Sequence, residues 1–346
     1  MNKFVFLIAV TVICACKGQS KNPNSIDIDL NSVKEPQTEI VEIIKLETRN
    51  DALLGDFVTI KENDNYIISS DMKKFVIFDK KGSIHNVFSP IGKATNEVMF
   101  IMTYFVTNDY IEVLDVYRKR CVRYGFDGSF LGALELPEKI AEYVRFNNLT
   151  IADMAGQSEE HRLSIFDSNN NKVNSGISYK AKGINYGSNK FCVSSNCVYY
   201  LPPFYNTIYK IGSEGDLSES LSINFGRHWA TDDELEANAN HSNILGLWEY
   251  LKSNDKIGFL SFIKNDEYLF LKFDKGEDKY GCIINNQTAT QYVSKEETNI
   301  IYNISSINND VFTSVVDAYN YNKLYPSDDK TSIEDNPIIL RFKINE

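Results

Sequence analysis

One turn recurs along the chain and constrains the fold more than any other feature. Phe78-Asp79-Lys80-Lys81-Gly82 reappears in variant form as Phe126-Asp127-Gly128, Phe166-Asp167-Ser168-Asn169-Asn170, Gly212-Ser213-Glu214-Gly215 and Asn285-Asn286. Each copy follows the third of four short apolar runs, and polar turns separate the runs. In the first unit these are Phe57 to Ile60, Tyr66 to Ser69, Phe75 to Phe78 and Ile84 to Phe88. Asp, Asn and Gly bound such runs where hairpins turn. The repeat is roughly 40–50 residues, the length of a four-stranded propeller blade. One interval is longer, because Thr231 to Asn254 has another character. Thr231-Asp232-Asp233-Glu234 is a capping box, and Leu235, Ala239, Leu247, Trp248 and Leu251 have helical spacing. Without that insertion the period is restored.

Five complete units leave an incomplete sixth, with strands at Ile300 to Ile307, Val311 to Ala318 and Pro337 to Ile344. An orphan strand, Ile40 to Leu46, precedes the first unit. A lone strand exposes unpaired backbone, and pairing it with the last unit closes a ring. The expected fold is therefore all-β: a six-bladed β-propeller over residues 39–346, closed by an N-terminal strand, with a helical insertion between blades four and five. A pair of β-sandwiches has similar strand spacing, but it does not account for one such turn per unit.

Composition suits this fold. The 346 residues include 20 Tyr and 21 Phe, which pack well on pleated, half-buried strands. A formal net charge of −11 opposes binding to phosphate backbones, so nucleic acid is not an expected partner. Arg118-Lys119-Arg120 is the longest basic run and reads as a solvated turn.

The N-terminus reads as an address. Lys3 precedes the apolar run Phe4 to Ile13, which is too short to remain as a membrane span. Ile13-Cys14-Ala15-Cys16 resembles a bacterial lipobox, which implies that residues 1–16 are a lipoprotein signal and that Cys16 carries the lipid. Cys14 is a poorer site, because no small residue precedes it. Residues 17–38 are polar and read as a tether. Lys17 after the cysteine resembles outer-membrane sorting signals. The expected setting is the cell envelope, on an undetermined face of the outer membrane, with the membrane held through the lipid and the domain monomeric.

Four further segments carry a resemblance. They are Phe78 to Gly82 leading to Ile91-Gly92 and Glu97; Leu201-Pro202-Pro203-Phe204 through Tyr209-Lys210-Ile211; Leu221 to Gly226; and Asn336-Pro337-Ile338-Ile339-Leu340. Together they resemble the six-bladed, NHL-like propeller lipoproteins of Bacteroides and related bacteria. The likeness spans roughly residues 40–346. It departs where the family's Gly-x-Gly-Pro-x-Glu loop reads Gly92-Lys93-Ala94-Thr95-Asn96-Glu97 here. The resemblance implies fold and location, and no chemistry.

The residues themselves favour a binding module over an enzyme. His85, His161, His228 and His241 form no close ligand pair, and no metal or cofactor is expected. Asp167 to Asn171 faintly suggests a calcium loop, but Lys172 and Ser178 stand where Gly and Glu are needed. A calcium ion in the central channel stays an open alternative. No nucleophile elbow, P-loop or dinucleotide fingerprint is present. Cys192 and Cys197 flank a hairpin turn and form a candidate disulfide in an oxidising envelope. Arg227-His228-Trp229, at the entrance to the insertion, is the candidate ligand site, because Trp and Arg are frequent anchors on propeller loops. The competing reading is that Trp229 and Trp248 only pin the insertion to the ring. The expected ligand is a glycan, peptide or protein. The alternative function is a carbohydrate hydrolase or lyase, which calls for two or three carboxylates, or His with carboxylates and Arg, converging in the central pocket.

Overall fold

A computed structural model describes residues 24–31, 34–55, 58–154, 160–180, 190–238, 244–295, 300–326 and 331–345. Two strands precede the blades: β1 (Ser25–Asp27) and β2 (Gln37–Lys45). Blade one is β3 (Thr59–Glu62), β4 (Tyr66–Ser70), β5 (Phe75–Asp79) and β6 (Ile84–Phe88). Blade two is β7 (Tyr104–Val106), β8 (Ile111–Asp115), β9 (Arg120–Tyr124) and β10 (Phe130–Glu135). Blade three is β11 (Ile140–Phe146), β12 (Leu149–Met154), β13 (Leu163–Phe166) and β14 (Lys172–Gly176). Blade four is β15 (Phe191–Val193), β16 (Val198–Tyr200), β17 (Thr207–Ile211) and β18 (Leu217–Asn224). Helices α1 (Asp232–Asn238) and α2 (Ile244–Ser253) follow. Blade five is β19 (Ser261–Lys264), β20 (Tyr268–Lys275), β21 (Asp278–Asn285) and β22 (Gln291–Ser294). Blade six has β23 (Ile304–Asn308), β24 (Val311–Val316), α3 (Ala318–Leu324) and β25 (Ile338–Asn345). The strands form six antiparallel meanders, a six-bladed propeller.

The recurring turn has a common physical cause. Asp79 Oδ1 accepts the backbone N–H groups of Lys81 and Ser83 at 2.8 and 2.9 Å. Asp167 Oδ1 does the same for Asn169 and Asn171, both at 2.8 Å. Asn285 Oδ1 accepts from Gln287 and Thr288. A side-chain acceptor thus satisfies the N–H groups that the tight turn leaves without strand partners. Gly82 and Gly128 complete the turn at φ of +88° and +83°, where a side chain is strained.

The apolar core lies between blades rather than at the axis. Ile68, Phe75 and Ile77 of blade one pack on Ile111, Val113 and Val122 of blade two. Phe270 and Ile283 of blade five meet Phe312, Leu340 and Phe342 of blade six. Blade six meets blade one through Ile44 and Ile339 against Ile67, Val76 and Phe78.

Closure follows the expectation. β2 is the outer strand of blade six and runs antiparallel to β25, with Ile40 opposite Phe342 and Ile44 opposite Ile339. Asn336 locks this join. Its Oδ1 accepts the Leu54 N–H at 2.8 Å, and its Nδ2 donates to the carbonyls of Glu47 at 2.9 Å and Ala52 at 3.1 Å. The side chain is almost fully buried, so these bonds have no water substitute.

Two features differ from expectation. The stretch 17–38 does not act as a loose tether over its described part. β1 adds a fifth strand, parallel to β18, to blade four. The Gln291 amide donates to Asp27 O at 2.7 Å, Val293 N donates to Lys34 O at 3.1 Å, and Ile28 is buried against Ile223 and Val293. The segment is a strap across blades four and five, drawn there by outer strands whose backbone groups lack partners. The second feature is α3, which Asp317 caps by accepting the Asn320 N–H at 2.7 Å.

Asn336→Ala is expected to cost about 2–4 kcal/mol in urea unfolding, because two buried carbonyls and one N–H lose their partner together. Asn336→Asp should do no better, since it removes both donors.

Candidate functional site

The insertion leaves the ring through a narrow neck. Trp229 lies beside Ile257 in an isolated parallel bridge, Ala230 N donates to Ile257 O at 2.9 Å, and Ile257 N donates to His228 O at 2.7 Å. The capping box forms as read. Glu234 accepts the Thr231 N–H at 2.7 Å and Thr231 Oγ1 accepts the Glu234 N–H at 3.3 Å. Leu235, Leu247 and Leu251 bury against Phe204 and Ala230. Gly258 lets the helices approach, since a Cβ there would lie 2.9 Å from Leu251 Cδ1.

Arg227, His228 and Trp229 divide between neck and surface. Trp229 is half-buried, stacks on Phe225 at 5.9 Å with 17° between planes, and packs on the cluster containing Phe273. His228 Nδ1 is 3.8 Å from Asp255 Oδ2, and Arg227 is exposed. Trp229 therefore pins the insertion to blade five.

The concavity opens on the other side of the insertion. A cleft of about 710 Å³ lies between α2, the β20–β21 hairpin and Tyr302. Its aromatic walls are Trp248, Phe259 and Tyr302, and Trp248 is stacked on Phe259 at 5.2 Å with 22° between planes. Four ammonium groups border it: Lys252 and Lys256 from the insertion, and Lys272 and Lys279 from blade five. Lys272 Nζ lies 3.9 Å from the Tyr302 ring centroid and Lys279 Nζ lies 5.8 Å from it. The Tyr302 hydroxyl donates to Asp274 Oδ1 at 3.3 Å, which fixes the ring. Lys256 is braced by Glu234 at 2.9 Å, and Lys252 by Glu277 at 2.9 Å. Flat apolar faces rimmed by lysines suit a ligand with a hydrophobic face and negative charge. Of these residues, sequence reasoning singled out Trp248 alone, and only as a possible pin. Lys272, Lys279 and Tyr302 carry no local motif.

The other candidates resolve differently. Cys192 and Cys197 are free thiols. Cys192 sits opposite Tyr199 in the β15–β16 ladder, diagonal to Cys197, and its Sγ donates to Lys264 O at 2.8 Å. Burial pushes the thiols of Cys121 and Cys282 up to about 12, so neither is a ready nucleophile. The basic run is not a solvated turn. Arg118 and Arg120 both donate to Glu97 O, at 2.8 and 2.6 Å, and Arg120 also donates to Thr95 O at 2.7 Å. The Gly92–Glu97 loop, where the family motif departs, is thus held by two guanidinium groups. Glu97 folds back to accept the Ala94 N–H at 2.7 Å, over a Gly92 that has no room for a Cβ. His85 packs on Tyr66, and His85, His161 and His228 belong to different parts of the ring. His241 and Cys16 lie outside the described residues. Among the described residues no group of three or more His, Cys, Asp or Glu is arranged to hold a metal ion.

Near the axis Glu142 and Asp153 both approach Lys190, at 3.5 and 3.3 Å. Asp153 is fully buried, with Arg162 at 3.3 Å and the Tyr200 hydroxyl donating to it at 3.0 Å. Only Glu142 of this pair has access to solvent, whereas acid–base glycoside hydrolysis uses two accessible carboxyl groups.

Fold and cleft together define a six-bladed propeller with a cleft built by a loop insertion. The chain belongs to the family described as "Domain of unknown function (DUF4934)", whose model matches residues 24–343. No curated protein matches it. Among solved structures it is similar to an exported protein of Bacteroides fragilis at 20% identity and a TM-score of 0.76, over 93% of this chain and 99% of that one. It is also similar to a member of the DUF4221 family from Bacteroides vulgatus at 12% identity and a TM-score of 0.57, over 91% of this chain and 100% of that one. At these identities the likeness is one of fold. No helix among the described residues is long and apolar enough to cross a membrane.

Trp229→Ala is expected to lower the melting temperature strongly, costing about 2–4 kcal/mol as a ring leaves a packed neck. Acid provides a second test of the insertion. Hydrogen bonds from the Thr231 N–H, Lys256 and Tyr250 hold Glu234 down to about 2, against an ordinary value of 4.5. Its stabilising contribution is complete above about 4.5 and is lost as pH falls toward 2. Tryptophan fluorescence of the native chain should show a transition in that window that Glu234→Gln lacks.

Proposed function

We propose that this protein is a lipid-anchored binding protein of the cell envelope that takes acidic glycans in the cleft between α2 and blade five. The observation that carries this reading is the combination of Trp248, Phe259 and Tyr302 with Lys252, Lys256, Lys272 and Lys279 around one cavity. A sugar ring lays its apolar face on an aromatic plane, and a uronate or sulfate group meets an ammonium. The cleft is basic on a chain whose net charge is −11, so attraction is confined to one place and other anionic surfaces are repelled. The envelope location rests on the lipobox ending at Cys16 and agrees with the word "exported" in the description of the Bacteroides fragilis relative.

Two measurements test this. On a glycan array, the full chain should retain uronate- or sulfate-bearing glycans and release them in high salt. Lys272→Met with Lys279→Met should weaken retention by about tenfold or more, with the melting temperature within a few degrees of wild type. Equal binding of neutral and acidic glycans would refute the ligand class. Cys16→Ser should abolish incorporation of labelled palmitate, and unchanged labelling would refute the anchor.

A further inference from the structure

A second concavity lies at the other end of the ring. In blades four, five and six the inner edge strands are β15, β19 and β23, which lie across their sheets from β1, β22 and β2. A cavity of about 680 Å³ opens where these three strands end, bounded by residues 191–195, 262–267 and 305–309. The insertion leads into the start of β19, so the cavity and the cleft are at opposite ends of that blade.

Hydrogen bonds between blades fix the cavity walls. Cys192 Sγ donates to Lys264 O at 2.8 Å and accepts the Lys264 N–H at 3.4 Å, joining β15 to β19. Asn265 Nδ2 donates to Asn309 O at 2.8 Å, joining the turn after β19 to the turn after β23. Asn265 Oδ1 accepts the N–H groups of Glu267 and Tyr268 at 3.0 and 2.7 Å, and the Asn286 N–H donates to Glu267 O at 2.7 Å. The turn that carries Asp266 and Glu267 is thus held by its own Asn265 side chain, by blade six and by the β21–β22 turn. A cavity of this size with bonded walls is preformed for a ligand.

Its lining has unused acceptors and little positive charge. Asp266 and Glu267 both line it, and among the described residues neither carboxylate has an ion-pair partner or accepts a hydrogen bond. The side chains of Ser306 and Asn308 line it as well and make no hydrogen bond among the described residues. Lys264 is the cation in the lining, and its ammonium is engaged already. Its Nζ donates to Asn265 O at 3.2 Å and lies 5.0 Å from the Tyr199 ring centroid. The cavity is therefore acidic where the cleft is basic. A neutral or anionic ligand would leave both carboxylates without a charged partner, whereas an ammonium meets them with charge-assisted bonds. The volume exceeds what a bare amine fills. The Asn308 amide and Ser306 hydroxyl can pair with peptide groups, and Phe191 and Ile307 offer apolar surface to a side chain.

We propose that this end of the axial channel binds a short peptide through a primary ammonium group, anchored by Asp266 and Glu267. The ammonium donates to the two carboxylates, and the peptide groups beside it pair with Asn308 and Ser306. A free N-terminus and a lysine side chain carry the same group, and the experiment separates them. The site is independent of the cleft, and neither proposal requires the other.

The test passes three peptides over the immobilised full chain: Ala-Phe-Ala amide, its N-acetyl form, and N-acetyl-Ala-Lys-Ala amide. At least one of the two ammonium-bearing peptides should be retained, and the uncharged N-acetyl-Ala-Phe-Ala amide should pass through. Retention of the first alone assigns the N-terminus, and retention of the lysine peptide assigns the side chain. Asp266→Asn with Glu267→Gln should weaken retention by about tenfold or more, with the melting temperature within a few degrees of wild type. Ser306→Trp keeps both carboxylates and fills the cavity, and it should weaken retention as much. The Lys272→Met, Lys279→Met variant should bind as the wild type does. The proposal is overturned if neither charged peptide is retained, if the uncharged one is retained equally, or if either cavity variant binds within twofold of wild type. Loss of retention in the Lys272→Met, Lys279→Met variant would also overturn it, by placing the peptide in the cleft.

Discussion

The pairing of β2 with β25 is the constraint on which the rest of the structure depends. A ring of blades has no continuous hydrogen-bond ladder around it, and neighbouring sheets meet only through side chains. Here the chain's two ends share one sheet, with eight residue pairs from Gln37–Asn345 to Lys45–Ile338. Opening the ring would expose both edges of that ladder and the apolar seam of Ile44 and Ile339 against Ile67 and Phe78. Asn336 adds a polar lock immediately before β25, tying it to the loop that leaves β2 for blade one. The Asn-Pro pair is therefore a closure device. Asn spans three backbone groups, and Pro337 precedes a strand, where the loss of one N–H costs little.

The strap extends the same logic. The outer strand of a blade has free N–H and C=O groups along one edge. The chain covers two such edges with its own N-terminal segment, a full parallel pairing on blade four and a lighter contact on blade five. The insertion arises between the same two blades, and Phe225, Phe273 and Ile28 belong to one apolar cluster. Strap, neck and cleft floor therefore share a core. Blade five carries β20 and β21, each of eight residues, whose hairpin reaches past the ring to form that floor.

The fold was legible because its signal is local and repeated. The Asx acceptor at Asp79, Asp167 and Asn285 is needed wherever the third strand turns, so the period survives changes in the residues around it. The strap was not legible, since Ser25-Ile26-Asp27 is three residues of ordinary polarity and finds its partner some 200 residues away through backbone groups alone. The basic run misled for a related reason. Arg118 and Arg120 look like a solvated cluster until the Gly92–Glu97 loop, which joins blades one and two, presents its carbonyls to them. The site was half legible. Its tryptophans marked the insertion, but which Trp faces a cavity and which a core depends on the neck. Trp229 lies at the neck, packed on Phe225, and Trp248 lies one helix away at the cleft.

The distribution of charge explains how a basic cleft can stand on an acidic ring. Several lysines here are neutralised close by, as Lys343 is by Asp310 and Lys275 by Asp255. In the cleft Lys252 and Lys256 follow that pattern, while Lys272 and Lys279 lie over the Tyr302 ring. The four ammonium groups outnumber the Asp274 and Glu277 carboxylates in the lining, which leaves a field that salt will screen. The cleft is thus suited to an extended ligand arriving from solvent.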